Sequence, residues 1–138
     1  MNTTLIWPMI AMVALTFTVW IRMYYVRIGE MRRRRIHPQS VDTSRSGAGV
    51  LEDVAAADNL KNLFEIPVLF YVACLTATVA GAVTPLIQGL AWSFVGLRVA
   101  HSLIHISYNR VMHRFIVYVL GALCAFAMWG LLAMEMAL

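Results

Sequence analysis

Three clusters of polar side chains interrupt otherwise apolar stretches of this chain. They are Asp58-Asn59-Leu60-Lys61-Asn62-Leu63-Phe64-Glu65, Arg98-Val99-Ala100-His101-Ser102-Leu103-Ile104-His105, and Arg110 through Tyr118. Asp58, Lys61, Asn62 and Glu65 are spaced i, i+3, i+4, i+7, the spacing of one helix face. Arg98, His101, His105 and Tyr108 repeat at +3, +4, +3, again one face, and Arg114 and Tyr118 are four apart, with Arg110 joining them if that helix begins early. Three such faces meeting at one depth enclose a polar pocket open from one side. Ionisable groups at that depth pair or line a site, and Glu65 and Arg98 are expected to pair. His101 and His105 have the i, i+4 spacing of metal ligands, but no third ligand is adjacent. Two histidines on one helix cannot clasp both faces of a haem either, so neither metal nor haem is expected.

The elements that must carry these faces follow from the charges. Of the 138 residues 61% are hydrophobic and 13% charged, against roughly 45–50% and 25% in a soluble domain. A disordered chain, a disulfide-stapled secreted scaffold and a soluble DNA-binding domain are excluded. Met1–Ile21, Ile66–Leu97 and Phe115–Met134 carry no charge, and a spanning helix needs about 20 apolar residues. The second stretch as one helix would be about 48 Å long, too long for a single crossing. Gly81, Pro85 and Gly89 punctuate it, which predicts a turn at Ala82–Leu86. The expected spans are Leu5–Val26, Leu63–Val83, Leu86–Ser107 and Phe115–Leu138. They make a single all-α membrane domain over residues 1–138, a four-transmembrane-helix bundle with a basic loop at about 27–57.

The basic residues Arg32–Arg35, Arg110 and Arg114 place the first and third loops in the cytoplasm, with both termini on the far side. Trp20, Tyr24 and Tyr25 fit an aromatic belt there, with Arg22 reaching past them. The first segment has no basic stretch before its apolar run, so it reads as a span rather than a cleaved signal. Pro38–Gly49 reads as an irregular linker. Cys74 and Cys124 lie inside predicted spans and read as buried structural thiols. No zinc spacing, Walker loop or dinucleotide fingerprint appears. The Arg32–Arg35 run reads as a topology anchor that attracts anionic membrane lipid, not as a nucleic-acid site.

Asn62 and Glu65 form N-x-x-E, Arg98 and His101 form R-x-A-H, Arg114 is followed four residues later by Tyr118, and R-M-Y stands at Arg22–Tyr24. In this order and at these separations the pattern resembles the MAPEG family, the membrane-associated proteins in eicosanoid and glutathione metabolism. It resembles a prokaryotic-type member, similar to microsomal glutathione transferase and prostaglandin E synthase, along the whole chain. The resemblance implies a homotrimer with glutathione held between subunits at the cytoplasmic end. The implied glutathione-binding residues are Lys61, Asn62, Glu65, Arg98, His101, His105, Arg110 and Arg114, with Arg32 or Arg34 from the end of the first span. Arg114 and Tyr118 would be catalytic, stabilising the thiolate for attack on a lipophilic electrophile or hydroperoxide. Such a protein would lie in a prokaryotic inner membrane.

The physical requirements agree: glutathione carries two carboxylates and an ionisable thiol, so its site needs several cations, and Glu65 suits the ammonium. Three positions depart from the family pattern. Asp58 stands where several members have Arg, His105 where a prostaglandin-synthase-type member has Tyr, and Phe115 where it has Ser. Asp58 and Phe115 favour an alternative, a non-catalytic member that binds lipid or a lipophilic ligand or serves as a scaffold. Intact Arg114 and Tyr118 favour the enzyme. A channel is disfavoured because the polar residues stop halfway across.

Overall fold

The computed structural model describes residues 3–41, 47, 49–52 and 54–137. Of the positions read above, Met1 and Leu138, with part of the expected linker Pro38–Gly49, lie outside the described residues. The helices are α1 (Ile6–Arg34), α2 (Ala55–Asn62), α3 (Ile66–Val79), α4 (Pro85–Ile106) and α5 (Val111–Ala137), with a 3-10 turn at Pro38–Val41. No strand occurs among the described residues.

Three helical stretches are long and apolar enough to cross a membrane: Ile6–Arg34, Ala55–Val79 taken across its break, and Val111–Ala137. Most of each apolar surface faces outward, with Trp7, Ile10, Val13 and Phe17 exposed on α1 and Val68, Val72, Leu75 and Val79 on α3. The charge pattern predicts α4 as a fourth span, yet it is not among the three. Its 22 residues include Arg98, His101 and His105, and the helix turns them inward, where they are buried.

α4 is the hub of the bundle. It packs along α5, against α1 and against α2, and Phe70 of α3 stacks on its Phe94 with centroids 4.4 Å apart. Aligned small and apolar side chains fill the middle, including Met12, Phe70, Ala73, Ala77, Ala91, Phe94, Ala125 and Met128. Cys74 is buried and Cys124 half-buried, both free thiols.

The turn between α3 and α4 sits slightly earlier than expected. Gly81 takes φ +71° and the Ala82 N–H reaches back to Ala77 O at 2.9 Å, a Schellman closure. Pro85 then opens α4 beneath Thr84, whose Oγ1 accepts from the Ile87 N–H at 3.2 Å. The expected single helix over Leu63–Val83 is corrected: residues Leu63–Glu65 break it, and α3 restarts at Ile66. Pro67 is the reason, because it supplies no N–H for the Leu63 carbonyl and its ring collides with that carbonyl in a continuous helix. Asp58, Lys61 and Asn62 therefore ride on α2, whereas Glu65 stands in the break.

Described residues after α1 are tied back to that helix. Arg27 Nη2 donates to Val41 O (2.9 Å), Arg34 Nη1 donates to Val50 O (2.8 Å), and the buried Glu30 carboxylate accepts from Arg34 Nη1 and the Glu52 N–H, both at 2.7 Å.

Candidate functional site

The inward face of α4 supplies the centre of the site. Arg98, His101, Ser102 and His105 are all under 5% exposed. Asn59 of α2 is 1% exposed and accepts from the Ser102 hydroxyl through Oδ1 at 3.2 Å. Tyr118, on the second turn of α5, lies across this face. The Arg98 guanidinium carbon is 4.7 Å from its ring centroid and 5.3 Å from that of Phe94, so two aromatic faces bracket the buried charge. Gly121, one turn further along α5, lies beside the guanidinium, where an added Cβ would make an ordinary van der Waals contact with Arg98 Nε at 3.7 Å.

The expected Glu65–Arg98 ion pair is not made. Among the described residues the ion pairs are Arg34–Glu30 and Arg34–Glu52. Tyr118 stands between the two charges, with its O–H donating to Glu65 Oε2 at 3.2 Å while its ring covers Arg98. Glu65 is exposed at the helix break, not two turns inside a continuous helix. The ring thus separates the charges and touches both.

Toward the loop after α4, Arg114 on the first turn of α5 donates through Nη1 to Asn109 Oδ1 at 2.6 Å and lies 3.5 Å from His105 Nδ1. The ring of His101 is 5.5 Å from that of His105 and 6.0 Å from that of Tyr118. One contiguous run therefore links Arg114, His105, His101, Tyr118 and Glu65, with Arg98 behind it.

The other sequence-derived candidates stand apart from that run in the single chain. Lys61 is exposed and Asn62 half-buried; the α2 asparagine that faces inward is Asn59, because Ala56 and Asn59 form the buried face of this short helix. Arg110 is exposed just ahead of α5, its carbonyl accepting from the Arg114 N–H at 3.1 Å. Tyr108 falls beyond the end of α4 and contacts His113 Nδ1 at 3.1 Å. Arg34 is occupied by Glu30, Glu52 and Val50 O. Arg32 is exposed and lines a groove of about 570 Å³ with Tyr25, Ile28, Gly29 and Arg33, all on α1.

Asn59 and Glu30 are the polar residues that sequence reasoning passes over. The small Ala56 three residues before Asn59 is the available signal for the first. Nothing in residue spacing marks the second, whose partners include a backbone N–H of the loop.

Six buried nitrogens find no hydrogen-bond acceptor or donor among the described residues: Asn59 Nδ2, Arg98 Nε, Nη1 and Nη2, His101 Nδ1 and His105 Nε2. The cluster is thus rich in donors and short of acceptors, the chemistry suited to carboxylate or thiolate groups. No group of three or more His, Cys, Asp or Glu side chains able to hold a metal occurs among the described residues. A second groove, about 440 Å³, is apolar and lies between α1 (Val13, Thr16, Phe17, Trp20) and the stretch Leu63, Phe64, Val68, Tyr71.

Comparison with known proteins gives a match to the family model described as MAPEG family over residues 5–134. No curated protein and no solved structure matches the chain.

Proposed function

The chain belongs to the MAPEG family, and from that premise we propose that it is a membrane-embedded, glutathione-dependent transferase or peroxidase acting on lipophilic electrophiles or hydroperoxides. The observation that supports this reading is the run Arg114–His105–His101–Tyr118–Glu65. It sets a guanidinium, two imidazoles, a phenol and a carboxylate side by side. Glutathione fits that donor set: its carboxylates and ionised sulfur take the surplus donors, and its ammonium takes Glu65. When bound it supplies a nucleophilic sulfur, which displaces a leaving group from carbon or accepts oxygen from a hydroperoxide.

The protein's own part is ionisation and placement. A free thiol has a pKa near 8.5, so only a few per cent is thiolate at neutral pH. The Arg114 guanidinium stays charged at any working pH and has donors to spare beyond Asn109. Tyr118, one turn deeper on the same face, offers an O–H. The lipophilic partner approaches along apolar helix surface, where the bilayer concentrates it.

Glu65 and part of Tyr118 are open in the single chain. A homotrimer in which neighbouring copies cover this face, with Arg32 of an adjacent α1 completing the cation set, fits that exposure. The site lies at the end marked by the basic residues, which orientation by charge puts in the cytoplasm of a prokaryotic cell, with both termini opposite. A non-catalytic lipid-binding member is the second reading, favoured by the exposed Asp58 and by Phe115, an exposed aromatic beside Arg114.

Thermal unfolding of the detergent-purified protein with and without millimolar glutathione separates the two. A ligand at a hundred times its Kd stabilises the native state by about 2.7 kcal/mol, so the enzyme reading expects a clear rise in Tm. An unchanged Tm favours the non-catalytic member.

A further inference from the structure

Tyr118 has one hydroxyl proton, and it is already committed. The O–H donates to Glu65 Oε2 at 3.2 Å. Glu65 in turn is exposed and forms no ion pair among the described residues, so its carboxylate stays open to an incoming cation. The ring itself is held from below: the Arg98 guanidinium, 1% exposed, sits 4.7 Å from its centroid, and none of its nitrogens has another hydrogen-bond partner among the described residues. Arg98 and Glu65 therefore fix the ring at its face and at its oxygen. What remains free to turn is the O–H bond, which rotates about the C–O axis to suit its acceptor.

We propose that Glu65 parks the Tyr118 hydroxyl, and that the γ-glutamyl ammonium of glutathione, by pairing with Glu65, releases that hydroxyl to the cosubstrate's own sulfur. This rests on the glutathione reading above and adds the order of events: binding of the amino end arms ionisation of the thiol. Arg98 and Glu65 are positioning residues in this scheme.

The dimensions allow it. An ammonium on the outer side of Glu65 and a sulfur on the outer side of the Tyr118 oxygen stand roughly 9 Å apart at ordinary hydrogen-bond lengths. The chain of bonds from that nitrogen to the sulfur in glutathione extends to about 10 Å. One molecule can engage both ends. The exchange also preserves charge-assisted bonding: the phenol passes from one anionic acceptor, the Glu65 carboxylate, to another, the thiolate, while the carboxylate gains a charged ammonium donor. The bond broken is S–H, its proton passes to water at the mouth of the site, and no electrons are transferred.

The test compares glutathione with its analogue in which the γ-glutamyl ammonium is replaced by hydrogen. Calorimetry measures binding of each to the purified protein, and ultraviolet thiolate absorbance at saturation gives the pKa of each bound thiol relative to the same thiol free in solution. Both should bind, the analogue more weakly. The thiol of bound glutathione should ionise about one unit lower than that of the bound analogue, a tenfold difference in ionisation constant. In Glu65→Leu the two should coincide, because the hydroxyl is free for either ligand, and in Tyr118→Phe they should coincide because there is no hydroxyl to release. Equal ionisation in the unaltered protein overturns the proposal and leaves glutathione binding standing. So does a difference that persists in both variants. If glutathione does not bind at all, the functional reading falls and this inference with it.

Discussion

The Arg98 guanidinium lies under the ring of Tyr118, with its carbon 4.7 Å from the centroid. Arg98 comes from the middle of α4 and Tyr118 from the second turn of α5, so this contact joins the two helices that share the most extensive packing in the bundle. It also explains how a buried arginine is tolerated without a carboxylate in contact: two aromatic faces replace part of its hydration.

Tyr118→Phe and Tyr118→Leu should therefore differ. The first keeps the ring over Arg98 and loses the hydrogen bond to Glu65, a cost of about 1 kcal/mol. The second also strips one face from a buried cation and should cost about 2 kcal/mol more. Equilibrium unfolding in detergent measures both. Equal losses would mean that the ring and the cation are neighbours without interaction.

Two glycines of the α3–α4 region behave oppositely. Gly81 has φ +71°, where an L side chain is strained, so Gly81→Ala should lower stability by about 1–2 kcal/mol. Gly89 lies within α4, where an added Cβ would meet nothing within 4 Å, and Gly89→Ala should be neutral or stabilise by up to about 1 kcal/mol. Paired thermal melts of the two variants read the sign directly.

Glu30 should govern how firmly Glu52 is held against α1. Its buried carboxylate accepts from Arg34 and from the Glu52 N–H, so Glu30→Ala takes the acceptor from the Glu52 N–H, while Arg34 keeps Val50 O and Glu52, at a cost of about 1 kcal/mol. Limited proteolysis should cut the loop of Glu30→Ala several times faster than that of the parent. Arg33→Ala, an exposed residue on the same turn, should be cut at the parental rate.

Much of the architecture is legible in the charge pattern. The uncharged stretches mark the long helices, and Gly81 and Pro85 mark the turn between α3 and α4. Spacing misleads over Asp58–Glu65, because the i, i+3, i+4, i+7 pattern reads as one face whether or not the helix continues, and Pro67 interrupts it. The site is legible one helix at a time. Glu65 and Arg98 do meet the same side chain, but periodicity within α4 carries no information about which α5 residue comes between them. Asn59 is hidden behind Asn62 for a related reason: the short helix α2 turns Ala56 and Asn59 inward, and that rotation is set by packing against α1 and α4. The Glu30 latch is illegible because it depends on a backbone donor from a loop.

Assembly is the next expectation. Glu65 and Phe64 at the helix break and the Val68, Val72, Leu75, Val79 stripe on α3 are exposed in the single chain, and a trimer would cover such a surface. Native mass spectrometry in mild detergent should give three times the mass of the 15.5 kDa chain. A stable monomer across several detergents would contradict it.

Under the proposed function, Arg114, with Tyr118 beside it, lowers the pKa of a bound glutathione thiol. The most direct measurement is the ultraviolet thiolate absorbance of glutathione added to the purified protein near pH 7, for the parent and for Arg114→Ala. A shift of one to two units corresponds to about 1.4 kcal/mol of thiolate preference per unit. The expected result is a signal of roughly a quarter to three quarters of a thiolate per occupied site in the parent, against a few per cent for the free thiol, and its loss in Arg114→Ala while the oligomer survives. No signal in the parent, or a full signal in Arg114→Ala, would contradict it.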